Sequence, residues 1–86
     1  MRKWVSSPEY RAAVEVVVTA RKAQGLTQRE VESRLGKTHH GWLAKIEVGE
    51  RGMNVIDLIA IASAIGVDER QLFDKLLRSL PAKLDV

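Results

Sequence analysis

The side chains best suited to chemistry cluster in one stretch, where Thr38, His39, His40, Trp42, Lys45 and Arg51 follow one another closely. Hydroxyl, imidazole, indole N–H, ammonium and guanidinium are all hydrogen-bond donors, and the last two carry full positive charge. Two adjacent histidines on a helix point about 100° apart, which is poor spacing for a shared metal ion without a third ligand. The chain has no cysteine, so thiolate metal sites and disulfides are excluded. No nucleophile–base pair, phosphate loop or metal cluster is legible, so the expectation is a non-enzyme with no cofactor. Histidine, lysine and arginine donors in one short stretch suit contact with phosphate, and Arg29, Arg34 and Lys37 are read as solvated or peripheral to it. Trp42 has two uses: stacking on a flat partner group, or packing its ring on the domain while its N–H reaches solvent or phosphate. The second is the expectation. Gly41 inside a helix would cost roughly 1 kcal/mol against alanine, and a fray point near the helix start explains it more simply than close backbone approach.

The elements that must position these residues lie in LTQREVESRLGKTHHGWLAKIEVGER, residues 26 to 51. Thr27 followed three residues later by Glu30 is a capping-box pattern. Val31 and Leu35 then share a helical face, and Gly36 can end that helix in the left-handed conformation. Thr38 is expected to cap a second helix carrying the apolar pair Leu43 and Ile46, with Gly49 as its end. Helices this short are unstable alone, so the rest of the chain must hold them.

It supplies the means. Ser6 or Ser7 ahead of Pro8 and Glu9 is a helix start. Tyr10, Ala13, Val14 and Val17 recur on one helical face, giving a first helix from about Pro8 to Gln24. The run Val16-Val17-Val18 could be a strand, but its alanine-rich, charged flanks and Gly25 favour the helix. After a loop at 51–53, Asn54 caps a helix in which Val55, Ile56, Leu58, Ile59, Ile61, Ala62 and Ile65 are apolar on most sides. It is expected to be the buried centre, with Ile59 and Leu43 both inside. Asp68 with Gln71 opens a last helix bearing Leu72, Phe73, Leu76, Leu77 and Leu80, stopped by Pro81. The reading is an all-α five-helix bundle spanning 8–80, with an arm at 1–7 anchored by Trp4 and Val5, and a tail at 81–86.

Length and composition bound the function. A chain of 86 residues is one domain with a modest core. Its 45 % apolar and 29 % charged residues exclude intrinsic disorder. No apolar run reaches membrane length, so no membrane partner is expected and a soluble, cytoplasmic protein is the default. The net charge of +3 mildly favours a polyanionic partner, and the excess lies within the first 25 residues.

RKAQGLTQ, a helix ending in LG, KIEVGER, NVIDL and AIGVDERQLF, in that order and spacing, resemble the Cro/repressor-type helix-turn-helix family of DNA-binding proteins across roughly residues 10 to 78. The resemblance implies a bundle of the repressor-like DNA-binding domain type, in which helices 2 and 3 form the helix-turn-helix and the third enters the major groove. Thr27 and Gln28 match positions that bind phosphate, and Arg51 matches a phosphate contact. His39, His40, Gly41, Ala44 and Lys45 match the exposed face of the recognition helix, with Thr38 and Trp42 at its start. Arg21 and Glu47 match a partly buried salt bridge between the first and third helices.

Two features depart from the family's pattern. Its members place a small residue where this chain has Glu32, and the segment from Gly36 to Ile46 is one residue longer than usual. Either the longer turn swings Glu32 outward, or the register slips and Ser33 takes the small position. The first is expected, because slippage would also move Leu35 out of its apolar slot.

The implied function is a sequence-specific DNA-binding transcriptional regulator, a repressor or dual regulator, with double-stranded DNA as partner. The competing reading is a protein-interaction module on the same scaffold, binding a regulator or toxin instead of DNA. Residues 26 to 51 carry five bases against four acids, which leaves that reading open. A homodimer is expected because one recognition helix reads too few base pairs. The contact is placed on the fifth helix at Leu72, Phe73, Leu76, Leu77 and Leu80, with Leu84 and Val86 of the tail adding to it.

Overall fold

The computed structural model describes residues 4–81 and residue 83. Among the described residues the chain forms a 3-10 turn at Trp4–Ser6 and five α-helices, with no strand. These are α1 Pro8–Ala23, α2 Gln28–Arg34, α3 Trp42–Val48, α4 Val55–Ile65 and α5 Glu69–Ser79. The all-α expectation therefore holds.

Local chemistry sets most boundaries. Ser7 accepts the Tyr10 N–H and Pro8 opens α1. Thr27 and Glu30 form a full capping box on α2, as the spacing indicates. Hydrogen bonding to Thr27 holds the Glu30 carboxyl below the usual carboxylate range. Asn54 and Asp57 make a second such box on α4. Asp68 accepts the Arg70 and Gln71 N–H groups at the start of α5.

The core gathers Val14 and Val17 of α1, Val31 of α2, Leu43 and Ile46 of α3, Ile61 and Ile65 of α4, and Leu72 and Leu76 of α5. α1 lies along α5, while α2 packs on α3 and α4. At the other end of α1, the Trp4 ring meets Tyr10 edge-on, with centroids 4.9 Å apart. It also rests on Gly52, where a Cβ would come within 2.2 Å of the ring. The Tyr10 hydroxyl accepts the Met53 N–H at 2.8 Å, and burial raises its pKa above the usual tyrosine value. Trp4 and Tyr10 thus hold the loop that follows α3.

Two expectations need correction here. α4 is not buried all round, and Ile59 is 48 % exposed together with Val55 and Ile56. A helix of this length meets α1, α2 and α5 along one side only, so Ile61, Ala62, Ala64 and Ile65 take the inner positions. On α5, Leu72 and Leu76 face the core while Phe73 and Leu77 point outward. Leu80 is half-buried, and Leu84 and Val86 lie outside the described residues. Of the five α5 side chains expected at a contact, Phe73 and Leu77 are therefore the exposed ones.

The packing has a direct consequence for stability. Leu43→Ala is expected to cost about 2–5 kcal/mol, whereas Ile59→Ala should stay below about 1 kcal/mol. Urea denaturation of the two variants checks this, and equal losses would contradict the burial pattern.

Candidate nucleic-acid interface

The helix-turn-helix unit is α2, a connection from 35 to 41, and α3. α2 ends when the Glu32 carbonyl accepts the Leu35 and Lys37 N–H groups, at 3.1 and 2.9 Å. α3 does not begin at Thr38. Its N-cap is Gly41, in the left-handed conformation with φ 96°, and a glycine has no side chain to cap the helix. Thr38, His39 and His40 consequently lie exposed in the connection, not on α3. Gly41 is accordingly a junction and not a fray point within a helix.

Glu32 does not swing outward. It is 3 % exposed, and its Oε2 accepts the Leu43 N–H at 2.8 Å. Because Gly41 cannot cap α3, a free donor of its first turn is satisfied by a carboxylate from α2, which keeps that carboxylate inside the crossing. Ser33, the other candidate for the small position, is exposed.

The far end of α3 is tied down by charge. Arg21 Nε donates to Glu47 Oε2 at 2.8 Å, and Nη2 to Oε1 at 3.0 Å. Both side chains are more than nine-tenths buried. Arg21 Nη1 also donates to the Leu26 carbonyl at 2.7 Å. Gln28 donates from Nε2 to Glu47 Oε1 at 2.8 Å, so one of its two amide protons is already committed inside the fold. Arg11, which the sequence reading did not single out, donates from Nη2 to the Glu47 carbonyl at 2.9 Å. A cation at the last turn of a helix complements its free carbonyls. Gly49 follows with φ 84°, and a Cβ there would lie 2.7 Å from Arg11 Nη1. The left-handed conformation is what favours glycine there, because the end of the Arg11 side chain could shift to admit a Cβ.

What remains for a partner surrounds α3. Lys45 and Val48 stand one turn apart on its exposed side, Val48 being 64 % exposed, and Ala44 beside them is half-buried. Val48 escaped the sequence reading, although its spacing from Lys45 is the available signal. Lys37 Nζ lies 4.3 Å from the Trp42 ring centroid and Arg51 Cζ lies 5.9 Å from it. One indole thus gathers two cations from opposite sides of the helix in sequence. The ring packs against the core, but its Nε1–H is buried and meets no acceptor, contrary to the expectation that it reaches outward. Leaving such a donor unpaired costs about 1–3 kcal/mol.

Arg29 Nε donates to His40 Nδ1 at 3.2 Å, which turns Nε2 to the other side of the ring. Thr27, Arg29, Lys37 and His40 line one shallow groove beside α2, with Glu30, Ser33 and, at its floor, the buried Glu32. Arg34 is used elsewhere, donating to the Ala64 carbonyl near the end of α4 at 2.8 Å. The expected residues therefore form three groups: the groove at His40, the cations on Trp42, and the exposed side of α3.

Comparison with known proteins agrees with this geometry. The helix-turn-helix family model matches residues 19–72. An uncharacterized HTH-type transcriptional regulator of Sinorhizobium fredii is 42 % identical over 52 residues, which span 60 % of this chain and 66 % of that protein. An XRE-family like protein from Pseudomonas syringae pv. tomato superimposes with a TM-score of 0.76 at 34 % identity, covering 85 % of this chain and 88 % of that one. With its short α2 and α3 crossing under a buried ion pair, and with the family model matching well over half its length, the chain belongs to the Cro/repressor-type helix-turn-helix family.

Proposed function

We propose that the chain is a sequence-specific DNA-binding transcriptional regulator, a repressor or dual regulator, that lays α3 in the major groove. The observation that carries this is the division of labour on α3. Leu43 and Ile46 fill the core and Glu47 serves the ion pair, whereas Lys45 and Val48 face outward. Lys45 can donate to guanine or phosphate, and an exposed valine suits a thymine methyl. Thr27, Gln28, Lys37 and Arg51 would hold phosphates on either side and set the register. The second Gln28 amide proton is the donor left for this, since the Thr27 hydroxyl is engaged with Glu30. His40 Nε2 would reach a base edge or phosphate from the turn, with His39 and Thr38 beside it. The similar protein named as a transcriptional regulator supports the same reading.

The regulator would work as a two-fold pair. Val55, Ile56 and Ile59 of α4 join Phe73 and Leu77 of α5 as exposed apolar side chains. Between the helices runs an apolar groove of about 390 Å³ lined by Leu58, Ile59, Ala62, Leu72 and Phe73, with Glu69 and Arg70 at its edge. Adjacent opposite charges at the rim can pair with their mates across a two-fold axis, which favours a second copy as occupant.

A salt titration of binding to duplex DNA tests the function. The logarithm of the affinity should fall linearly with the logarithm of salt, and Lys45→Ala or Arg51→Ala should flatten the slope by about one if each meets a phosphate. His40→Ala should lose about 1–3 kcal/mol on the preferred site and little on random duplex. Failure to bind any duplex at low salt would replace this function with the protein-interaction reading.

A further inference from the structure

We propose that Glu32 is the positioning residue of α3, setting with one side chain where that helix begins and at what angle it leaves α2. Its importance for DNA rests on the function proposed above, but its geometry does not. A carboxylate 3 % exposed is a costly occupant of a helix crossing. Among the described residues no lysine or arginine forms an ion pair with it. Its compensation comes from the Leu43 N–H at 2.8 Å.

That donor belongs to the first turn of α3, where N–H groups have no partner within the helix. The usual remedy is a side chain at the N-cap, and Gly41 has none. The carboxylate therefore does from a neighbouring helix what a local serine or aspartate does elsewhere, and it places negative charge at the positive end of the peptide dipoles. The main chain of the same residue closes α2 by accepting the Leu35 and Lys37 N–H groups. One residue thus terminates the first helix with its carbonyl and starts the second with its carboxylate. The connection between them carries glycines with positive φ at 36 and 41, and such residues restrain direction poorly. The angle of α3 is then held by Glu32 at its start and by Arg21 and Glu47 near its end.

An apolar residue would fill the crossing at less cost, but it would leave the Leu43 N–H unpaired and the start of α3 undefined. Glu32→Ala and Glu32→Gln separate positioning from mere filling, since glutamine keeps an acceptor at the same reach. Amide exchange followed by NMR should show Leu43 about tenfold faster in Glu32→Ala, with Leu72 and Leu76 unchanged. Residual dipolar couplings should show α3 rotated against α2. The ratio of affinities for preferred and random duplex should fall about tenfold, and Glu32→Gln should restore most of each quantity. Unchanged Leu43 exchange in Glu32→Ala, or lost protection with α3 orientation and duplex ratio as in wild type, would overturn the assignment. If Glu32→Ala fails to fold, Glu32→Gln decides: loss of Leu43 protection in it without rotation of α3 also counts against positioning. If wild type binds no duplex, the DNA reading fails, while the exchange and orientation measurements still decide the role of Glu32.

Discussion

Replacing Arg21 with alanine is expected to destabilise the fold by about 3–5 kcal/mol. The guanidinium makes two contacts to the Glu47 carboxylate and one to the Leu26 carbonyl, all at 3.0 Å or less. Its removal leaves a buried carboxylate with the Gln28 amide as remaining side-chain donor, and takes from the Leu26 carbonyl its guanidinium partner. The penalty is that of an uncompensated charge and not the intrinsic worth of the pair. Exchanging both partners for apolar residues of similar volume should therefore recover most of the loss. Arg21→Lys should recover little, because a point charge cannot reproduce the forked geometry. Urea denaturation of the three variants provides the comparison. A loss below about 1 kcal/mol for Arg21→Ala would mean the pair is solvated and peripheral.

Placing glutamate at both Ile59 and Phe73 is expected to give a folded monomer whose operator affinity is lower by about 10²–10⁴. Both positions are about half exposed, so the substitutions cost the isolated domain little. In an interface they would set like charges against each other across a desolvated face. Joining two α3 helices on half-sites about one helical turn apart makes the second contact intramolecular, which is where the large factor arises. Sedimentation and footprinting give the readout. A wild-type monomer both free and on DNA, protecting a single half-site, would remove the dimer. A variant that still dimerises would move the interface off the α4–α5 face.

The parts of the molecule legible from sequence are those decided within a few residues. Ser7, Thr27 with Glu30, Asn54 and Asp68 each accept N–H groups two or three positions ahead, so spacing alone identifies them. The Arg21–Glu47 pairing spans 26 positions and was accessible through family resemblance, not through spacing. α4 misled because a helix apolar on most sides contains no information about which side is covered. α5 offered two apolar stripes, and contact with α1 selects Leu72 and Leu76 over Phe73 and Leu77. The start of α3 is not legible locally, because Thr38 looks like a cap while the Leu43 N–H bonds a carboxylate eleven positions earlier. Arg11 carried no signal at all, since its partner is a backbone carbonyl on another helix.

The attachment of α3 at both ends bears on how such a protein can change its target. Its start is gripped by Glu32, its end by Arg21, Gln28 and Arg11, and its inner side by the core. The exposed positions 39, 45 and 48, which the proposed function turns toward DNA, contribute no side chain to these grips. Address and frame are thus separate inheritances. If the proposed function holds, substitutions at these exposed positions can change the preferred site without drawing down a small domain's margin of stability, and descendants of one scaffold can diverge in what they recognise while folding alike.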